Sequence, residues 1–342
     1  MSAWLGNCCN PDRTGGYFFS YNACMHELSR LRRVMPFAVA AVIVYILFSM
    51  AAGLFLLEGA LHAPRFLLTS RSDFLSVVDD RLASSLETVS IDAEDRARLE
   101  GWYAQPVGWN HDTVLLVHGV GDNREGVASY AKTFLKAGYA VLLPDSRGQG
   151  SSGGELVTYG LLESDDMRRW AAWATAREQR DIHDASGCID LFGESMGAAI
   201  VLQATAAIPN ACTVVAEAPF ANFREIGYDR IAQRLGTSTG FARTVGWLTS
   251  QIAFAYGRAR YHFDFNQCSP EHALAQSRVP ALLIGDLADS NIPPRHVRMV
   301  FEVTRSRSEL WLVPGAEHTD AVRVAPAEFH QRVLAWFSAH HR

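Results

Sequence analysis

The stretch Gly193-Glu194-Ser195-Met196-Gly197, entered from the apolar run Cys188-Ile189-Asp190-Leu191-Phe192, decides how the rest of the chain is read. A buried strand that ends in Gly-x-Ser-x-Gly and passes at once into a helix-forming run, here Ala198–Ala207, has the pattern of a nucleophile elbow. The turn is so tight that glycine alone fits at 193 and 197, and the serine takes a strained backbone conformation that pushes its hydroxyl out of the sheet. Ser195 is therefore the expected nucleophile.

A serine hydroxyl is a weak nucleophile at neutral pH and needs a base beside it, with a third group to orient that base. Behind an elbow of this kind the order is Ser, then Asp or Glu, then His, each on a loop after a later strand. His318 follows the apolar run Glu309–Val313 on the loop Pro314-Gly315-Ala316-Glu317-His318, and is the expected general base. His296, His330, His340 and His341 fall on helical stretches, while His262 and His272 belong to or follow an inserted region. Two acids compete after the run Ala281-Leu282-Leu283-Ile284. Asp289 is favoured because Ser290-Asn291-Ile292-Pro293 carries it to the start of the next helix; Asp286, nearer the strand end, is the alternative acid or a brace for the turn. Glu217, after Val214–Ala216, reads as a structural partner near the elbow.

Acyl transfer through such a serine also needs fixed donors for an oxyanion. Met196 supplies one backbone amide, and the loop His118-Gly119-Val120-Gly121 after the run Val114–Val117 supplies the other at Val120. His118 is expected to shape that loop. The glycine-rich segment Asp145–Gly154 lacks the spacing of a phosphate cradle, leaving Asp145 and Arg147 for internal ion pairing.

Around these loops, short apolar runs alternate with helical stretches from Glu87 onward. The pattern predicts a mostly parallel sheet of about eight strands, flanked by helices on both faces, with the ligand site beyond the carboxyl ends of the strands. Alternation stops between residues 218 and 280, where aromatic residues such as Tyr228, Trp247, Phe254 and Tyr261 stand among arginines. This segment is expected to form a helical cap over the site.

The front of the chain differs in kind. Residues 1–33 form a polar head, 34–57 an uncharged run long enough to cross a bilayer as a helix, 58–86 a connector, and 87–342 the α/β domain with its insert. Arg30, Arg32 and Arg33 precede the apolar run and Arg65 and Arg71 follow it, a bias that places the catalytic domain on the non-cytoplasmic side of a single-pass membrane protein. Cys8, Cys9 and Cys24 read as free thiols or a lipidated pair, with spacing too irregular for a metal site. Cys188 and Cys212 read as small core residues, Cys268 as part of a connecting segment, and spacing assigns no disulfide. The net charge of −5 and the absence of an arginine stripe argue against a nucleic-acid partner.

Together these segments resemble the α/β-hydrolase superfamily: His118-Gly119, Asp145-Ser146-Arg147-Gly148-Gln149-Gly150-Ser151, Gly193-Glu194-Ser195-Met196-Gly197, Asp289-Ser290-Asn291-Ile292-Pro293 and Gly315-Ala316-Glu317-His318 occur in order over residues 87–340. The opening Leu99–Pro106 and the membrane anchor are similar to Bem46-like hydrolases and to single-domain relatives of prolyl oligopeptidase. The resemblance implies a triad of Ser195, Asp289 and His318 with Val120 and Met196 as oxyanion donors. The leading expectation is a membrane-anchored serine hydrolase of acyl esters, thioesters or amides, working without metal or cofactor; the apolar, aromatic insert and the adjoining bilayer point to small-molecule or lipid acyl substrates, with peptidase activity or a silent binding protein on the same fold as alternatives. One departure keeps Asp286 in play: the family's acid usually lies three residues after the strand-end glycine, and Asp289 lies four after Gly285.

Overall fold

A computed structural model describes residues 17–68, 85–182 and 187–340. The chain begins with a long helix, α1 (Tyr17–Leu61), and continues as β1 (Ser85–Asp92), β2 (Arg98–Gln105), β3 (Thr113–Val117), α2 (Ala128–Lys136), β4 (Ala140–Pro144), α3 (Glu163–Ile182), β5 (Ile189–Glu194), α4 (Met196–Ala204) and β6 (Ala211–Glu217). Three helices follow, α5 (Phe223–Leu235), α6 (Thr239–Tyr261) and α7 (Pro270–Gln276). The chain then completes the sheet with β7 (Ala281–Asp286), α8 (Arg295–Thr304), β8 (Ser308–Val313), α9 (Ala321–Val324) and α10 (Pro326–His340).

The eight strands form one sheet in the order β1-β2-β4-β3-β5-β6-β7-β8. Only β1–β2 and β2–β4 pair antiparallel; β4, β3, β5, β6, β7 and β8 run parallel. Strands β3, β4 and β5 are buried along their whole length, as expected where helices cover both faces of a parallel sheet. Period-two alternation sorts their side chains between two cores: Leu115, Leu142 and Leu191 go to one face with Trp170 of α3 and Ile200 of α4, and Leu116, Val141 and Phe192 to the other with Phe134 of α2 and Phe337 of α10. All parallel strands therefore end at one edge, where the β5–α4 turn, the loop after β3 and the loops after β7 and β8 converge.

Two features differ from the sequence expectations. The apolar helix does not stop at Leu57 but runs to Leu61, and its last turns pack on α6: Tyr45 donates through its hydroxyl to the Val245 carbonyl at 2.8 Å, and Glu58 accepts from the hydroxyls of Tyr256 and Tyr261, each at 2.7 Å. Residues 29–61 are long and apolar enough to cross a membrane by length and composition. Second, Cys188 and Cys212 are joined in a disulfide rather than packed as separate core thiols, with Cα atoms 5.5 Å apart. Adjacent strands bring them together, since β5 and β6 pair Ile189 with Ala211 one residue from each cysteine, a register that spacing along the chain does not reveal. Cys268 is a buried free thiol. Cys8, Cys9, the Cys24 side chain and Arg71 lie outside the described residues.

Candidate active site

The β5–α4 turn is built as its sequence requires. Ser195 has φ 53° and ψ −118°, a conformation costly for any residue with a Cβ. A Cβ at Gly197 would stand 2.0 Å from the Val117 carbonyl oxygen on β3, and one at Gly193 2.4 Å from the Gly197 carbonyl. Side chains at either place would prise the helix from the sheet, so these glycines allow the close approach that lifts Ser195 to the strand edge.

Three predicted side chains meet there. His318 Nε2 lies 2.8 Å from Ser195 Oγ, and His318 Nδ1 lies 2.7 Å from Asp289 Oδ2. A carboxylate can only accept, so the arrangement sets the imidazole with Nδ1–H donating to Asp289 and Nε2 free to accept from the serine hydroxyl. The other oxygen of Asp289 accepts the backbone N–H groups of Asn291 and Ile292 at 2.7 and 2.8 Å, fixing the carboxylate in the loop after β7.

Asp286 sits elsewhere. Its Oδ2 accepts from the Thr319 N–H at 2.9 Å, next in sequence to His318, so it braces the loop that carries the imidazole. Its Oδ1 is buried without a hydrogen-bond partner among the described residues, and burial raises its pKa. Glu217 holds the following turn, accepting from the Ala321 N–H at 3.0 Å and from the Tyr130 hydroxyl at 3.3 Å. His118 has both nitrogens engaged, Nδ1 with the Gly119 carbonyl at 2.8 Å and Nε2 with the Ser146 N–H at 3.0 Å. Burial lowers its pKa, keeping it a neutral strut between two loops. Asp145 and Arg147 do pair internally, Asp145 with the buried Arg124 at 2.6 Å and Arg147 with Asp166 at 2.7 Å.

Ser195 opens into a pocket of about 330 Å³ lined by several elements, with Tyr159, Phe220 and Ile292 from the loops after β4, β6 and β7. Val120, Ser195 and Met196 form its floor; α5 and α6 contribute Phe223, Ile226, Gly227, Arg230 and Phe254; and the end of α1 contributes Phe55, Leu56, Leu57, Gly59 and Ala60. That the apolar N-terminal helix is part of the pocket wall was not visible in the sequence, where it reads only as a span. The one local hint is the cluster of small residues Ala51, Ala52, Gly53, Gly59 and Ala60, which lets another helix approach closely.

Comparisons with known proteins bear on the family and the fold. The sequence pattern of the Alpha/beta hydrolase family matches residues 114–332, more than half of the chain. The chain is 28% identical over 225 residues to the uncharacterized protein YqkD of Bacillus subtilis, spanning 64% of this chain and 68% of that protein. In fold it resembles the esterase Pf2001 of Pyrococcus furiosus, with a TM-score of 0.62 and 23% identity over 82% of this chain and all of the other. It also resembles the acylaminoacyl peptidase of Pyrococcus horikoshii, with a TM-score of 0.54 and 15% identity over 80% of this chain and 44% of the other. These solved structures speak to the fold alone, and the family match together with the elbow geometry carries the assignment: the chain belongs to the alpha/beta hydrolase family.

Proposed function

We propose that this hydrolase is a membrane-anchored serine hydrolase that cleaves acyl esters, with thioesters and amides open to the same chemistry, through Ser195, His318 and Asp289. The observation that carries the proposal is the continuous hydrogen-bonded line from Asp289 through His318 to Ser195 at the floor of an apolar pocket. In the first step Ser195 Oγ attacks the acyl carbon while its proton passes to His318 Nε2, and Asp289 stabilises the imidazolium that forms. The negative charge on the carbonyl oxygen goes to the backbone N–H groups of Val120 and Met196, each such donor being worth about a hundredfold to a thousandfold in rate. Collapse of the tetrahedral intermediate breaks the bond to the leaving alcohol, which takes the proton from His318. Water then repeats the cycle on the acyl-enzyme and regenerates Ser195.

Residues 34–57 serve as the bilayer anchor in this proposal. The arginines at 30, 32 and 33 favour the cytoplasmic side for the N-terminus, and a disulfide such as Cys188–Cys212 suits an oxidising compartment, so both support a hydrolase domain on the non-cytoplasmic side. Peptide bonds are the second substrate class; the apolar pocket wall favours acyl esters over them.

The test is labelling of the full chain by a fluorophosphonate probe, with mass spectrometry to locate the adduct. Modification of Ser195, its loss in Ser195→Ala, and turnover of acyl esters above that of peptide amides are expected. Folded protein that takes up no probe would overturn the serine-hydrolase assignment.

A further inference from the structure

Resting on the serine-hydrolase reading, we infer that the substrate is a single-chain acyl lipid bearing a phosphate headgroup, taken laterally from the bilayer between α1 and the cap. Three observations lead there. The first is the pocket's wall. Phe55 lines the pocket yet is 72% exposed on the outer surface of α1, so this wall separates the Ser195 cavity from the surface that the anchor presents to lipid. The α1 helix runs alongside α6 in the same direction, Tyr45 meeting Val245, Gly53 meeting Thr249 and Leu57 meeting Gly257. Tyr45 lies midway along residues 34–57, so the start of α6 runs beside the apolar part of α1, and that stretch exposes Phe241 and Trp247 with Arg243 between them.

The second observation is volume. At about 330 Å³ the cavity is at the low end of ligand pockets, which run from roughly 300 to 1,000 Å³, and admits one acyl chain.

The third is charge. Arg230 and Arg234 stand one turn apart on α5 and both line the pocket, and among the described residues neither forms an ion pair with a carboxylate. The nearby Asp229 is taken by Arg295 and His296, each at 2.6 Å. Arg230 instead donates to the Asn291 carbonyl at 2.9 Å and to Gln233, which places it beside the loop that holds Asp289. Arg234 forms no hydrogen bond among the described residues, and is exposed. Arg224 also lines the pocket, held by Ser250 at 3.3 Å and Asn266 at 2.7 Å; guanidinium groups are well matched to phosphate oxygens, and a pocket with apolar walls and three arginines free of carboxylate ion pairs among the described residues fits an acyl chain with an anionic end. The reaction is then hydrolysis: Ser195 takes the acyl group, the carbon–oxygen bond to the glycerol of the headgroup breaks, that oxygen receives the His318 proton, and water releases the fatty acid.

The experiment compares kcat/KM of the full chain in nanodiscs for palmitoyl lysophosphatidate and for monopalmitoyl glycerol, which share the chain and differ in phosphate. A preference of about tenfold or more for the phosphate-bearing lipid is expected, since hydrogen bonds to charged groups carry that much discrimination. Arg234→Gln, an exposed change with little bearing on folding, should reduce the preference by about fivefold through KM, and Arg234→Lys should restore part of it. Equal kcat/KM for the two lipids, or a preference untouched by Arg234→Gln, overturns the headgroup assignment. So does competition by inorganic phosphate as strong as that of the lipid, which marks a site for free phosphate. Failure of the underlying hydrolase reading is distinguishable, because then neither lipid is hydrolysed and Ser195 takes no fluorophosphonate.

Discussion

Gly53 on α1 and Thr249 on α6 approach so closely that a Cβ on the glycine would stand 2.8 Å from the Thr249 carbonyl oxygen. The contact joins the apolar N-terminal helix to α6 near the level where both line the Ser195 pocket, so this helix forms part of the pocket wall. Gly53→Leu should therefore act as an overpacking substitution at the α1–α6 crossing. The expected cost is about 1–3 kcal/mol, or roughly 2–8 °C in Tm, with long-chain esters losing turnover more than short ones because their pocket wall moves. Ala51→Leu, on the exposed side of the same helix, is the control. Thermal unfolding in detergent together with the ratio of long-chain to short-chain turnover checks this; identical behaviour of the two variants would show that the crossing does not shape the pocket.

The two aspartates after β7 should separate cleanly in turnover. Asp289→Asn leaves His318 without an acceptor for Nδ1–H and favours the wrong tautomer, and comparable changes in serine hydrolases cost about 10⁴ in kcat. Asp286→Asn keeps an oxygen for the Thr319 N–H, so its loss should stay within about tenfold. Steady-state turnover of a soluble acyl ester reads both. An Asp289→Asn enzyme as active as the parent protein would transfer the acid role to Asp286.

Much of this site was legible because its residues answer to local rules. The glycines at 193 and 197 and the strand before Ser195 follow from a steric demand that acts within a few residues, and Asp289 and His318 stand on loops directly after strands, in the chain order that an elbow serine leads one to expect. The sheet was legible for a similar reason, since strands buried on both faces spell apolar runs. What escaped depends on packing between distant segments. Nothing near Cys188 announces that β6 carries Cys212 past it, and nothing in Phe55 or Leu57 announces that α6 packs along α1. Gly227 is a similar case: mid-helix on α5 with no atom within 4 Å of a Cβ, it marks open pocket space, a fact that exists only once the helices are assembled.

That open space makes a prediction of its own. Gly227→Leu introduces a better helix former, worth roughly 1 kcal/mol in propensity, and projects its side chain into the cavity without a clash. Stability should hold or rise while hydrolysis of long-chain esters falls by about tenfold relative to acetyl esters, since buried chain methylenes lose their place at about 0.8 kcal/mol each. A chain-length series on both proteins decides it, and an unchanged profile would move the acyl chain out of this pocket.

The Cys188–Cys212 bridge closes a separation of 24 residues between neighbouring strands that deliver the elbow. Constraint of the unfolded chain by a loop of that size is worth about 3 kcal/mol in the entropic account. Protein from an oxidising compartment should resist alkylation at both cysteines until reduced, and the Cys188→Ala, Cys212→Ala double variant should unfold several degrees lower. Ready alkylation of unreduced protein from its native membrane would place the domain on the reducing side.

Glu194, the residue before Ser195, offers a test by pH. Burial pushes its pKa up to about 7 from a usual 4.5, against the hydrogen bonds it accepts from Tyr130 and the Gly119 N–H. A carboxyl group whose pKa is raised on folding binds its proton more tightly in the native state, so between about 4.5 and 7 stability falls as pH rises; above 7 a charged carboxylate stays buried at a cost of about 3 kcal/mol. Glu194→Gln keeps an oxygen for the Gly119 N–H, which steadies the loop carrying Val120, and removes the charge. The variant should gain Tm over the parent protein at pH 8 and lose that advantage on acidification to pH 5. A Tm difference that stays constant between those two values would mean that Glu194 is solvated well enough to ionise at its ordinary pKa.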